Sequence, residues 1–217
     1  MPDWINPTDV SWLPTRNDPP RSSHWLLELP SSPLQRDDGN PVAKKTDPAL
    51  ARPRTLADLG RATFTETFGH LYSAENLAAF LATHSAESWR EELENADYVV
   101  RIAESDGRAV GYAKLGPPSL PFEPRGRPIE IRQFYVLKPW QGAGVAAVLM
   151  DWALGEARAR GADELYLSVF SDNHRARRFY DRYGFTFVQT YAFMVGDHED
   201  EDHILRLDLK DAPCPSK

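Results

Sequence analysis

Cysteine is nearly absent from this chain of 217 residues; the one present is Cys214, close to the end. That excludes an intrachain disulfide framework and a cysteine-rich metal site, and it suits a reducing compartment. Long apolar runs are also missing, so no segment is expected to span a bilayer. The opening residues, MPDWINPTDV, contain no basic stretch followed by an apolar one, so no secretory leader is expected, and a cytoplasmic location follows. Positive charge is in deficit. The net charge of −7 argues against general binding to nucleic acid or anionic membranes. It is compatible with a cationic substrate. No metal is expected: His198 and His203 flank the acidic run from Asp197 to Asp202 without a metal-ligand spacing.

What is present divides the chain in three. Ten of the 18 prolines lie between Pro2 and Pro53, a composition that builds neither helix nor central strand. Residues 1–54 are therefore expected to be an irregular extension, with HWLLELP, His24 to Pro30, as a short strand or turn within it. Residues 55–210 carry regular patterning, and residues 211–217 form a tail. Thr55-Leu-Ala-Asp58 resembles a capping box opening a first helix through LADLGRATFTETF. A second helix is expected from Ser73, where Leu77, Phe80 and Leu81 take helical spacing. A third is expected around Trp89 to Leu93. DYVVRIAE and AVGYAKLG, joined by SDGR, form a hairpin on an Asp-Gly turn. After a proline-rich loop, IEIRQFYV (129 to 136) alternates as a strand. Val145, Val148, Leu149, Trp152 and Ala153 mark one helix face. ELYLSVF is a strand, HRARRFYDRYG a helix, and Phe185 to Val195 is β-rich. GDHEDEDH is expected to be a loop and ILRLDL a last strand. The order describes a mixed α/β sheet with helices on its faces.

Residues 140 to 147, WQGAGVAA, contain two phosphate-loop patterns. Gly142, Gly144 and Ala147 spell G-x-G-x-x-A, a dinucleotide fingerprint. Gln141, Gly144 and Ala146 spell Q-x-x-G-x-A. Glu164 lies about twenty residues on, as the dinucleotide reading requires. Three features oppose it. Lys138-Pro139-Trp140-Gln141 separate the strand from the first glycine. Glu164 opens the next strand instead of closing it. The chain after the loop turns antiparallel instead of adding parallel strands. A plain glycine-rich helix start is the bland alternative.

Two stretches carry a resemblance. IEIRQFYVLKPWQGAGVAAVLM is similar to the strand, pyrophosphate loop and helix of the GNAT superfamily of acyl-CoA-dependent N-acyltransferases. LSVFSDNHRARRFYDRYGF is similar to that superfamily's next strand and helix, through Asn173, Ala176, Phe179, Tyr180, Gly184 and Phe185. Weaker similarity runs from about Thr55 to Leu209. RATFTETFGHLYSAENL and VGDHEDEDHILRL resemble a bacterial subgroup that includes polyamine and small-amine acetyltransferases.

The resemblance implies a mostly antiparallel α/β sheet in which IEIRQFYV and ELYLSVF are parallel neighbours that splay apart. It implies acetyl-CoA as cosubstrate and transfer of its acetyl group to a primary amine, on a small molecule or peptide, without a covalent intermediate. A homodimer is compatible with it. Gln141, Gly142, Ala143, Gly144, Val145 and Ala146 would cradle the pyrophosphate. There a helix start offers unpaired N–H groups and the positive end of the helix dipole, glycines allow close approach, and Gln141 adds a neutral donor. Backbone groups of Phe134, Tyr135 and Val136 would bind pantetheine and polarise the thioester. Tyr180 would be the general acid, with a core aromatic as the alternative. Asn173 would bond pantetheine, cap its helix, or both. Glu130 is either the general base or a partner of Arg132. Glu66 and Tyr72 would line the acceptor side. The acidic run Asp197 to Asp202 is either a solvated hairpin loop or an attractor of cations. The superfamily's usual opening strand is missing before the first helix: either HWLLELP replaces it or it is lost. The competing function is a catalytically weak acyl-CoA-binding module.

Overall fold

A computed structural model describes residues 48–210; HWLLELP and the C-terminal tail lie outside them. The order is α1 (Pro48–Phe68), α2 (Ala74–Ala82), α3 (Ala86–Glu94), β1 (Val99–Ser105), β2 (Arg108–Gly116), β3 (Pro128–Val136), a short 3-10 turn (Lys138–Trp140), α4 (Val145–Ala159), β4 (Glu164–Phe170), α5 (His174–Arg182), β5 (Thr186–Val195) and β6 (His198–Asp208). The strands form one six-stranded sheet in the order β1-β2-β3-β4-β6-β5. Only β3 and β4 run parallel. This is the expected mixed, mostly antiparallel architecture.

Local chemistry accounts for most boundaries. Ser73 and Ser85 cap α2 and α3, their hydroxyls accepting from the N–H groups of Asn76 and Ser88. Asp106 and Gly107 both take positive φ between β1 and β2, the geometry of a tight hairpin turn. α1 corrects an expectation. It begins at Pro48 instead of Thr55 and holds Pro53 inside it. Proline suits a first helical position, where its missing N–H has no partner to lose. The helix therefore starts within the segment expected to be irregular, and Thr55 is not its cap. The place where the superfamily's opening strand would stand, before α1, lies outside the described residues.

The acidic loop is the second correction. Only Gly196 and Asp197 form the turn, and Val195 pairs directly with His198. β6 therefore runs through the acidic residues, and strand alternation turns Asp200 and Asp202 inward, at 6% and 7% exposure.

Helices cover both sheet faces. α1 sets Leu56 and Leu59 against Ile102 and Tyr112, with Trp89 of α3 in the same cluster. On the other face α4 sets Met150, Ala153 and Leu154 against Ile129, Ile131, Leu165 and Leu167. Leu149, fully buried, packs with Ala103, Val110 and Ala113. Leu149→Ala should lower stability by about 2–5 kcal/mol, read as a fall in the urea midpoint at unchanged slope.

Candidate active site

The site begins with a failure of strand pairing. β3 and β4 pair only at Pro128–Glu164, Ile129–Leu165 and Glu130–Tyr166. On its other side β3 stays paired with β2, but the register slips so that Lys114 faces Gln133 while Leu115 faces Ile131. Arg132 is the extra residue of a β-bulge, which bends and twists the strand. Beyond it β3 and β4 diverge as the sequence resemblance implied. The edge of β3 from Gln133 to Val136 faces a cavity of about 920 Å³ and not a partner strand.

The pyrophosphate-type loop closes one end of this cavity. Gly142 and Gly144 hold φ of +92° and +89°, conformations that residues with a Cβ seldom adopt. Gly144 caps α4 without any side-chain hydrogen bond, so no cap side chain occupies the first N–H groups of α4, the kind of helix start that can hold an anion. Val145 turns its side chain into the core, at 1% exposure, and contributes only backbone here. Gln141 and Ala146 line the cavity, but the Gln141 amide donates to Val136 O at 2.9 Å. It braces the loop against the strand end and is not aimed at an anion. Arg175, Arg178 and Arg182 of α5 also line the cavity, and Arg175 reaches within 3.5 Å of where a Cβ on Gly142 would lie. Their spacing places them on one helix face. That pattern was readable in HRARRFYDR and was missed.

Tyr180 lines the cavity beside Phe134, with ring centroids 6.3 Å apart. Burial pushes its phenol well above the ordinary value, so it is protonated at neutral pH and able to donate. Its packing against Phe179 and Phe185 is real too. The Asn173 side chain accepts from Ala176 N at 3.1 Å, which is the helix-cap arrangement, and Asn173 also lines the cavity.

The three glutamates considered from the sequence divide sharply. Glu66 is not among the cavity residues; it accepts from Lys138 N at 3.1 Å and ties α1 to the loop after β3. Glu130 lines the cavity but is committed. It accepts from Ser119 N (2.6 Å), Leu120 N (3.2 Å) and the Ser119 hydroxyl (3.4 Å), with Arg132 at 3.5 Å. Glu164 does similar work, accepting from Arg125 N and Gly126 N. Together these two acids fasten the proline-rich loop to the sheet. Tyr72 does line the cavity, and its hydroxyl donates to Asp200.

Asp200 and Asp202, within the segment expected to be a loop, lie on β6. Asp202 lies opposite Phe170, at the end of β4 where the strands have parted. Burial chiefly, and the neighbouring Asp200 charge, push its carboxyl up to about 6, against the opposing hydrogen bond from Ser168. Phe68, Phe80, Phe170 and Phe193 complete the walls on this side. Ile204 lies off the Leu205-Leu207-Leu209 face, and counting back by pairs from it would have located both aspartates.

The sequence model of the acetyltransferase (GNAT) family matches residues 60–185. The chain belongs to the GNAT acetyltransferase family. As an acyl-CoA-dependent N-acetyltransferase it has relatives along most of its length. An uncharacterised N-acetyltransferase of Mycobacterium bovis is 32% identical over 155 residues, covering 71% of this chain and 96% of the relative. Another from Lactobacillus delbrueckii is 30% identical, covering 68% and 87%. The fold is shared with the PaiA N-acetyltransferase of Thermoplasma acidophilum, solved in complex with coenzyme A. The TM-score is 0.60 at 20% identity, over 73% of this chain and 94% of that one. An aminoglycoside 6'-acetyltransferase of type Ii gives 0.55 at 19%, over 79% and 97%. Among the described residues no helix is long and apolar enough to cross a membrane.

Gly144→Val should weaken coenzyme A binding at least tenfold by calorimetry, since a β-branched residue at that φ costs about 1–3 kcal/mol and blocks the approach to the helix start.

Proposed function

We propose that this acetyltransferase moves the acetyl group of acetyl-CoA to a primary amine by direct attack in a ternary complex. One observation carries the reading: a single cavity runs from the N-terminus of α4, past the unpaired edge of β3, to the carboxylates of β6. Donor and acceptor can then meet in the gap between β3 and β4. The residues fit acetyl-CoA. The glycine turn and the α5 arginines suit its phosphates, and the free β3 edge suits the amides of pantetheine.

The chemistry follows from this placement. An N–H of the Phe134–Val136 edge polarises the thioester carbonyl, and the amine adds to its carbon. The C–S bond then breaks, and Tyr180 gives its proton to the departing thiolate. Asn173 orders the start of α5 and so positions Tyr180. Tyr72 and its aromatic neighbours form the acceptor wall. Glu130 serves as the anchor of the loop between β2 and β3, its acceptor sites being filled, and Glu66 has no part in binding the amine. The acidic, aromatic-walled acceptor side favours small cationic amines over bulky neutral ones.

Offered acetyl-CoA and a panel of polyamines, amino acids and peptide N-termini, the purified protein should release free thiol with at least one. Binding of acetyl-CoA without turnover across the panel would instead support a regulatory acyl-CoA-binding module. Tyr180→Phe should retain coenzyme A affinity and lose about 10²-fold or more in kcat; an unchanged kcat removes Tyr180 from the mechanism.

A further inference from the structure

The acceptor reaches the chamber as an ammonium ion, and it must lose a proton before it can attack. A group that takes this proton needs a free carboxylate oxygen on the acceptor side of the gap. Glu130 is poorly suited. A carboxylate has about four acceptor positions, and Glu130 has four partners: two backbone N–H groups, the Ser119 hydroxyl and Arg132. Protonating it would also release the loop it fastens.

Asp202 is placed differently. It stands on β6 at 7% exposure, lines the cavity, and lies opposite Phe170 across the β4 ladder. The groups that face it come from every neighbouring element. They are Ser168 and Phe170 from β4, Tyr191 from β5, Tyr135 from β3 and Tyr72 from the turn between α1 and α2; the charge of Asp202 helps to raise the phenols of both Tyr135 and Tyr72. On its own strand Asp200 adds a second negative charge. Asp200 is itself engaged, with the Tyr72 hydroxyl on Oδ2 and His198 Nε2 at 3.2 Å from Oδ1. One aspartate of the pair is held; the other keeps acceptor capacity toward the chamber.

Resting on the acetyl-transfer reading, we propose that Asp202 is the catalytic residue that takes the proton from the acceptor ammonium, with Asp200 as the positioning residue beside it. The balance closes. The ammonium gives one proton to Asp202, and its lone pair forms the N–C bond. A second proton leaves the nitrogen as the tetrahedral adduct collapses and returns Tyr180 to its phenol, which has protonated the thiolate. The products are the amide, coenzyme A thiol and one proton passed through Asp202 to solvent. Tyr180 packs in the α5 cluster, whereas Asp202 lies opposite Phe170, which meets Phe68 of α1, so the acid serves the leaving sulfur and the base the incoming nitrogen from opposite sides of the gap.

The working form of Asp202 is the carboxylate. Activity should therefore rise with pH through about 6 and level off above it. The test is the pH profile of kcat/KM in the thiol-release assay, for wild type, Asp202→Asn, Asp200→Asn and Glu130→Gln, alongside acetyl-CoA affinity and urea midpoints. Asp202→Asn should lose about 10²–10⁴-fold while keeping acetyl-CoA affinity and its fold. Its acid limb near 6 should vanish, leaving a rate that climbs with the free-amine fraction. Asp200→Asn should move the wild-type limb to lower pH, a displacement that a merely structural role would not produce. If Asp202→Asn keeps the limb and the plateau, or if Glu130→Gln alone removes them, the proposal is overturned while the transferase reading stands. Wild type that binds acetyl-CoA and acetylates no amine overturns both.

Discussion

Everything at this site depends on the parting of β3 from β4. A parallel pair that continued to its ends would satisfy its own N–H and C=O groups and leave nothing for a ligand. Here the pairing stops after Glu130 and Tyr166, and the bulge at Arg132 redirects β3 while β2 keeps its other edge in register. The exposed edge is rigid because one side of it remains in the sheet. A ligand that completes such an edge meets donors and acceptors already ordered, so little conformational entropy is lost on binding. The same divergence lets one cavity join the two helical layers.

Buried carboxylates show how position assigns work. Glu130 and Glu164 sit where β3 and β4 are still paired, and each accepts from two backbone N–H groups of the loop between β2 and β3. Their role is to hold that loop down. Asp200 and Asp202 sit where the strands have parted, with hydroxyl, imidazole and each other as neighbours. A buried carboxylate with saturated acceptors is structural, whereas one with spare capacity in a cavity can exchange a proton.

Much of the architecture was legible because local chemistry and tertiary packing agree. The serine caps of α2 and α3, the Asp-Gly hairpin and the α4 face at Val145, Leu149 and Ala153 all follow from short-range rules. The glycine loop was legible because its φ values leave few other residues usable. Two readings failed where a local signal met a stronger partner. Prolines argued against regular structure before Thr55, yet Pro48 fits a helix start. Acidic residues suggested solvated chain after Val195, yet pairing with β5 carries the strand through them.

The sequence by itself determined most of the elements, the glycine turn before α4 and the family. Each rests on backbone preferences and on spacings that repeat within a few residues. Only the tertiary structure decided which acids matter. Glu66, Glu130, Asp200 and Asp202 carry the same functional group, and nothing in their local sequence separates an anchor from a proton acceptor. The difference lies in what each meets across the fold: Lys138 N, the loop N–H groups, Tyr72, or an open chamber beside Ser168. Those contacts join residues far apart in the chain, and burial sets both how strongly they bind and how readily the carboxylate takes up a proton.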